Sequence, residues 1–110
     1  MSTQRLQQQD WSTQQRRALT PDELRTALAD LPGWQLDGDA IAKSYAFANY
    51  YETMAFVNGV ALVAHTQDHH PDLSVHYNRC VVRFNTHDVH GLSVTDFECA
   101  RRIEAMLQLA

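Results

Sequence analysis

The chain has 110 residues, of which 45% are hydrophobic and 20% charged, so its length and composition are those of one globular domain. A formal net charge of −4 at pH 7 argues against a protein that binds nucleic acid by neutralising phosphates. The longest apolar stretch, residues 57–64, is too short to span a membrane, and the N-terminal residues lack the apolar core of a signal peptide. With only two cysteines, Cys80 and Cys99, we expect a cytoplasmic protein in a reducing compartment.

Residues 1–19 are rich in glutamine and poor in aliphatic side chains, which predicts a flexible N-terminal arm. Residues 20–110 are then expected to form the domain. A domain of this size buries only about two-thirds of its unfolded surface, so association with further copies would help to cover its apolar faces.

Each of three helices is predicted by a polar N-cap residue with an acidic residue three positions later. These pairs are Thr20 and Glu23, Asn49 and Glu52, and Ser93 and Asp96. The first helix is expected to end before Pro32-Gly33, and the second to run from about Tyr50 to about Asp68. The third carries apolar residues at helical spacing, which should form its buried stripe: Phe97, Ala100, Ile103 and Leu107.

Four strands are predicted as two hairpins. Their expected ranges are 34–36, 41–47, 73–76 and 79–86, with turns at 37–39 and at Tyr77-Asn78. The resulting order, α-β-β-α-β-β-α, predicts an α+β sandwich in which helices pack on one face of a four-stranded antiparallel sheet.

All six histidines lie between residues 65 and 90, and they concentrate in two segments. The first segment, residues 68–72, joins the second helix to the third strand, and the second, residues 85–88, follows the last strand. If the last two strands pair about Tyr77-Asn78, Pro71 lies opposite roughly Asn85. His69 and His70 should then approach His87 in one cleft. Imidazole suits acid–base chemistry because it titrates near neutral pH.

These two segments, His69-His70-Pro71-Asp72 and Thr86-His87-Asp88, resemble the signature of the pterin-4a-carbinolamine dehydratases. The resemblance extends over roughly residues 20–107 and includes Pro32-Gly33-Trp34, Tyr77-Asn78 and Gly91-Leu92. It implies an α+β sandwich that works as a homodimer or homotetramer. It also implies elimination of water from 4a-hydroxytetrahydrobiopterin to give a quinonoid dihydropterin, which recycles the cofactor of aromatic amino acid hydroxylases.

The resemblance further implies which residues form the site. The catalytic histidines would be His69, His70 and His87. Substrate would also be bound by the polar residues beside them: Asp68, Asn85, Thr86 and Asp88. We expect His69 and His87 to transfer protons and His70 mainly to bind, because hydroxide leaves only after protonation and a ring nitrogen must lose its proton. The pterin is the substrate, and neither a cofactor nor a metal is expected.

Three positions need separate interpretation. His65 stands where the family often has Glu, and His90 where Gly is usual. Asp96 matches an acidic family position, but its spacing from Ser93 favours a structural role as a helix cap. His65 and His69, one helical turn apart, could instead hold a metal with Asp68, Asp72 or His87. The absence of an accompanying cysteine and of the fuller metalloprotease motif argues against that site.

A binding module of the same fold is the alternative function. Relatives of the family include a transcriptional coactivator and proteins linked to molybdopterin metabolism or to enzyme assembly, so this alternative implies a protein partner. No nucleic-acid or membrane partner is expected. Outside the two segments we expect His76 to face solvent, Trp34 and Phe97 to lie in the core, and both cysteines to be inert.

Overall fold

The fold is described by a computed structural model, which defines residues 17–108. Most of the arm predicted over residues 1–19 therefore lies outside the described residues. The elements, in chain order, are α1 Pro21–Ala29, β1 Gln35–Asp37, β2 Ala40–Ala46, α2 Tyr50–Gln67, β3 Asp72–His76, β4 Arg79–Phe84, a 3-10 turn His87–Val89 and α3 Val94–Gln108.

The four strands form one antiparallel sheet in the order β1-β2-β4-β3. The two hairpins are β1–β2 and β3–β4, and the pairing of β2 with β4 joins them. Alternate residues of the two central strands are buried beneath the helices, which confirms the predicted α+β sandwich. The most buried of them are Ile41, Cys80, Val82 and Phe84, each 0% exposed.

The core lies between this face of the sheet and the helices α2 and α3. From α2 it receives Phe56, Val60 and Ala64, and from α3 it receives the predicted stripe, although Leu107 is only partly buried. Each fully buried large apolar side chain contributes about 1.5–3 kcal/mol. Within residues 17–108, no helix is long and apolar enough to cross a membrane.

The predicted capping residues start the first two helices. Thr20 Oγ1 accepts a hydrogen bond from the Glu23 N–H, and the Glu23 carboxylate accepts one from the Thr20 N–H, at 3.2 and 2.9 Å. Asn49 Oδ1 accepts from the Glu52 N–H at 2.9 Å. Both predicted starts are thus confirmed, because each cap satisfies backbone donors that the first helical turn leaves free.

Ordered contacts begin before α1. Arg17 donates two hydrogen bonds of 2.7 Å to the Glu23 carboxylate, and the Leu19 N–H donates to the Leu92 carbonyl at 2.8 Å. Leu19 also packs against the core. Residues 17–19, which the sequence assigned to the arm, therefore connect the start of α1 to the loop before α3.

The β3–β4 register differs slightly from the expectation. Asp72 pairs with Arg83, which extrapolates to Pro71 opposite Phe84 rather than Asn85. β4 also ends at Phe84, two residues before the predicted end, because Thr86 instead forms an isolated bridge with Gly91. That bridge closes a short loop containing the 3-10 turn, and this loop carries the second histidine segment.

Candidate active site

The two histidine segments meet at one pocket of about 310 Å3. It is lined by residues 68–72, where α2 gives way to β3, and by residues 85–88, which follow β4. The structure brings together all seven residues that the sequence assigned to the site: Asp68, His69, His70, Asn85, Thr86, His87 and Asp88. Their convergence follows from the antiparallel pairing of β3 with β4, which places the start of one strand beside the end of the other.

The end of α2 shapes the first segment. Asp68 adopts the left-handed conformation, with φ 50° and ψ 44°, and its N–H remains bonded to the helix. The His69 N–H still donates to the Ala64 carbonyl at 3.1 Å. Pro71 cannot continue a helix, so the chain leaves this turn and enters β3. His69 is consequently anchored to the helix end rather than carried on a free loop.

The three rings of the site lie in different environments. The His69 side chain is only 11% exposed, with Nε2 2.6 Å from Asp96 Oδ1. Its ring also stacks on Phe84, with centroids 6.0 Å apart and an interplanar angle of 11°. His70 and His87 are exposed. The site therefore combines one fixed imidazole with two that are open to solvent.

Asp96 of α3 contacts His69 of the pocket, and the sequence analysis did not predict this contact. Its carboxylate is 0% exposed, and Oδ2 accepts from the Ser93 N–H at 2.9 Å and from Thr86 Oγ1 at 2.7 Å, while Oδ1 meets His69. Asp96 does receive the Ser93 N–H as expected of a cap, but it also joins α3 to the pocket. Its match to an acidic family position was the one signal in the sequence.

The two positions that depart from the family pattern lie outside the pocket lining. His65 is exposed on α2, one turn before His69. His90 ends the 3-10 turn in the left-handed conformation, with φ 54°, and its N–H donates to the His87 carbonyl at 3.1 Å. Neither ring is among the groups that border the site.

Across residues 17–108, no group of three or more His, Cys, Asp or Glu side chains is placed to hold a metal ion. Two other depressions, of about 400 and 460 Å3, lie between α1 and α3 and on the outer face of the sheet. No histidine is found among the described residues that line these two depressions, whereas three line the smaller pocket.

Both cysteines are buried and unpaired. Burial, followed by the negative charges of Asp96 and Glu98, raises the pKa of Cys99 to about 12. Burial also raises the pKa of Cys80. Since the thiolate is the nucleophile, these thiols are unreactive at neutral pH, which fits the expectation that they only pack.

Comparison with known proteins identifies the family. A profile of the family described as pterin 4 alpha carbinolamine dehydratase matches residues 17–106. The chain belongs to this family. One similar member, from Paracidovorax citrulli, is 63% identical over 110 residues, covering 96% of this chain and 95% of that protein. Another, from Bdellovibrio bacteriovorus, is 55% identical over 93 residues, covering 81% and 78% respectively. Both are provisionally named pterin-4-alpha-carbinolamine dehydratase.

Two solved structures share the fold of this chain. A protein from Brucella melitensis described as a transcriptional coactivator/pterin dehydratase superposes with a TM-score of 0.77 at 37% identity, covering 81% of this chain and 97% of that one. A pterin dehydratase-like protein described as a RuBisCO assembly factor of the alpha-carboxysome gives a TM-score of 0.55 at 20% identity, covering 66% and 83%. The second likeness is one of fold alone.

Proposed function

We propose that the protein is a 4a-hydroxytetrahydrobiopterin dehydratase, which converts this pterin-4a-carbinolamine to a quinonoid dihydropterin and water. The observation that carries the proposal is the meeting of three histidines from two separate segments at one pocket. The pocket volume, about 310 Å3, falls within the roughly 300–1,000 Å3 typical of small-molecule sites. Membership of the family supports the choice of a pterin as the ligand.

The reaction needs an acid and a base but no change of oxidation state. The C4a–O bond breaks as the oxygen is protonated and leaves as water. The ring nitrogen beside C4a loses its proton, and the electron pair of that N–H bond forms the new double bond to C4a. We propose that His69 and His87 carry the two protons, because imidazole matches neutral pH. No cofactor or metal takes part in this scheme.

The remaining polar residues of the pocket suit the pterin ring. Its aminopyrimidinone edge offers N–H donors and a carbonyl acceptor. The carboxylates of Asp68 and Asp88 accept hydrogen bonds, and the amide of Asn85 both donates and accepts. We propose that these side chains, together with His70, hold and orient the ring so that C4a lies between the two proton-transferring histidines.

Substitution of the histidines tests the proposal. His69→Ala and His87→Ala should each lower kcat/KM for dehydration of 4a-hydroxytetrahydropterin by about 10²–10⁴-fold, because each removes one proton-transfer group. His70→Ala should act mainly on KM. The measurement is the initial rate in a stopped-flow or coupled assay, with and without a chelator, which should have no effect.

His76→Ala is the matched control, since His76 is an exposed strand histidine that contacts Ser74 at 3.0 Å and lies outside the pocket lining. Its turnover should equal that of the wild type. Undiminished turnover in both His69→Ala and His87→Ala would rule the proposal out.

We further propose that the protein is a homodimer or homotetramer in a reducing cytoplasm. The outward face of α2 supports the first part, because Tyr51 and Leu62 on it are 84% and 65% exposed. The buried, unpaired state of both cysteines supports the second part.

The alternative is a binding module that has kept the fold without the turnover. The observation in its favour is that the fold also occurs in a protein described as a RuBisCO assembly factor. A wild-type protein that binds a pterin but does not dehydrate it, and a protein partner that binds wild type and His69→Ala equally, would together favour the module.

A further inference from the structure

The carboxylate of Asp96 is held by more donors than a helix cap requires. In a simple capping box the N-cap hydroxyl accepts from the backbone N–H three residues later. Here the Asp96 N–H donates to the Ser93 carbonyl at 3.2 Å, while the Ser93 hydroxyl lies 2.7 Å from Thr86 Oγ1. The hydroxyl of the cap is thus directed toward the pocket segment instead of its own helix.

The direction of these hydrogen bonds follows from counting protons. An ionised carboxylate only accepts, so the 2.7 Å contact between Thr86 Oγ1 and Asp96 Oδ2 uses the single proton of the Thr86 hydroxyl. The contact between Ser93 and Thr86 must then be donated by Ser93. The chain of donors runs from Ser93 to Thr86 to Asp96, and all three residues are buried.

This arrangement decides which nitrogen of His69 carries the proton. Asp96 Oδ1 can only accept from His69 Nε2 at 2.6 Å, so a neutral His69 keeps its proton on Nε2. Within residues 17–108, Nδ1 has no hydrogen-bond partner. It is the nitrogen left to accept a proton from a bound molecule, and the stacking on Phe84 holds the plane of the ring.

We infer that Thr86 and Ser93 are positioning residues: by fixing the carboxylate of Asp96, they hold His69 as the Nε2–H tautomer and make it the base of the site. His87 is then left as the acid. The assignment of base and acid rests on the proposed dehydratase function. The positioning of His69 does not, because it concerns hydrogen bonds of the unliganded protein.

Histidine NMR and kinetics together test the inference. In wild type the Nε2-bound proton of His69 should give a low-field, slowly exchanging resonance, identified by its absence in His69→Gln. Thr86→Val should broaden or remove this resonance and lower kcat about tenfold with KM within about twofold, since an unfixed base loses the reactive geometry. Ser93→Ala should show the same changes to a smaller extent, because it removes only the outer donor.

Thr86→Ser restores the hydroxyl and should recover both the resonance and kcat. Thr53→Val is the matched control for loss of a buried threonine hydroxyl, since Thr53 is 0% exposed and bonds to Asn49 and Tyr77 away from the pocket. It should leave both readouts unchanged. Circular dichroism checks that each variant is folded. If Thr86→Val does not fold, the two single variants Thr86→Ser and Ser93→Ala provide the test.

The inference is overturned if folded Thr86→Val keeps the resonance and a kcat within about twofold of wild type. It is also overturned if Thr53→Val loses the resonance and lowers kcat as much as Thr86→Val does. The two proposals fail separately. A wild type without turnover would overturn the dehydratase function, whereas the low-field resonance would still decide whether Thr86 and Ser93 position His69.

Discussion

Glu104 of α3 is the single side chain that ties this helix most directly to the first hairpin. Its Oε1 accepts from Trp34 Nε1 at 3.0 Å, from Lys43 Nζ at 2.5 Å and from the Tyr45 hydroxyl at 2.8 Å. Burial opposes ionisation of Glu104, but the hydrogen bonds from Lys43, Tyr45 and Trp34 outweigh it and lower its pKa. The ionised form of Glu104 therefore stabilises the folded state relative to the unfolded state.

Glu104→Gln should lower the free energy of unfolding by about 2 kcal/mol at pH 7, because it removes a charged acceptor from three donors. A lowered pKa in the folded state gives stability that is present above the unfolded value near 4.5 and is lost as the pH falls below it. Urea unfolding at several pH values should thus show the difference from wild type shrinking toward pH 3. A difference that stays constant between pH 7 and pH 3 would contradict this account.

Glu98→Gln offers the matched control, since Glu98 pairs with Arg101 and Arg102 at the edge of the same helix. Ion pairs near the surface contribute about 0–1 kcal/mol, so this variant should remain close to wild type.

At the scale of the elements, the contact between α2 and α3 depends on a glycine in the middle of a helix. A Cβ built on Gly59 would lie 2.5 Å from Met106 Sδ and 2.9 Å from Met106 Cε. Glycine costs a helix interior about 1 kcal/mol relative to alanine. Its presence here is explained by the close approach of the Met106 thioether.

A double-mutant cycle tests that explanation. Gly59→Ala should be neutral or destabilising in wild type, since the thioether must move, but should stabilise the Met106→Ala background by about 1 kcal/mol. The measurement is the free energy of unfolding of all four proteins. Equal effects of Gly59→Ala in both backgrounds would show that the two residues are not coupled.

Local signals in the sequence predicted the elements well. The cap residues Thr20 and Asn49 marked the helix starts because capping is a contact within one turn. Tyr77-Asn78 marked the β3–β4 turn, and that turn was sufficient to bring the two histidine segments together. The fold class and the approach of the three histidines could therefore be predicted from local signals, whereas the full set of pocket residues was implied by the family resemblance.

Long-range contacts could not be predicted in this way. The pairing of β2 with β4, which places Ile41 beside Phe84, joins strands that a whole helix separates in the sequence. The contact of Asp96 with His69 likewise depends on how α3 packs against the end of α2. Local spacing identified Asp96 as a cap, and only the packed structure shows its second role.

At the scale of the whole molecule, the exposure of Tyr51 and Leu62 on the outward face of α2 is the feature that a monomer leaves unexplained. From Thr53 to Gln67 the helix has no Asp, Glu, Lys or Arg, although Leu62 points to solvent. A surface helix of a monomer normally carries charge on its outer face. A partner copy would remove this surface from water and add to the limited fraction of surface that a domain of this size buries.

Leu62→Glu should therefore convert the proposed oligomer to a folded monomer, because it would place a charge within the proposed contact between copies. Light scattering coupled to size-exclusion chromatography measures the mass, and circular dichroism checks the fold. Val94→Glu is the control, since Val94 is 44% exposed but lies on α3. A monomeric wild type, or dissociation by both variants, would count against the α2 face as the contact.

The backbone around the pocket has a consequence for engineering. Asp68 and His90 are the two non-glycine residues with left-handed φ among residues 17–108, and Asp68 opens the first histidine segment while His90 follows the second. Such a conformation disfavours most residues by about 1–2 kcal/mol, and glycine would relieve it. Asp68→Gly would also make the backbone at the end of α2 more flexible, and His69 is attached directly after it. Glycine substitutions that would raise the melting temperature therefore lie beside the site histidines, whose positions the proposed reaction requires.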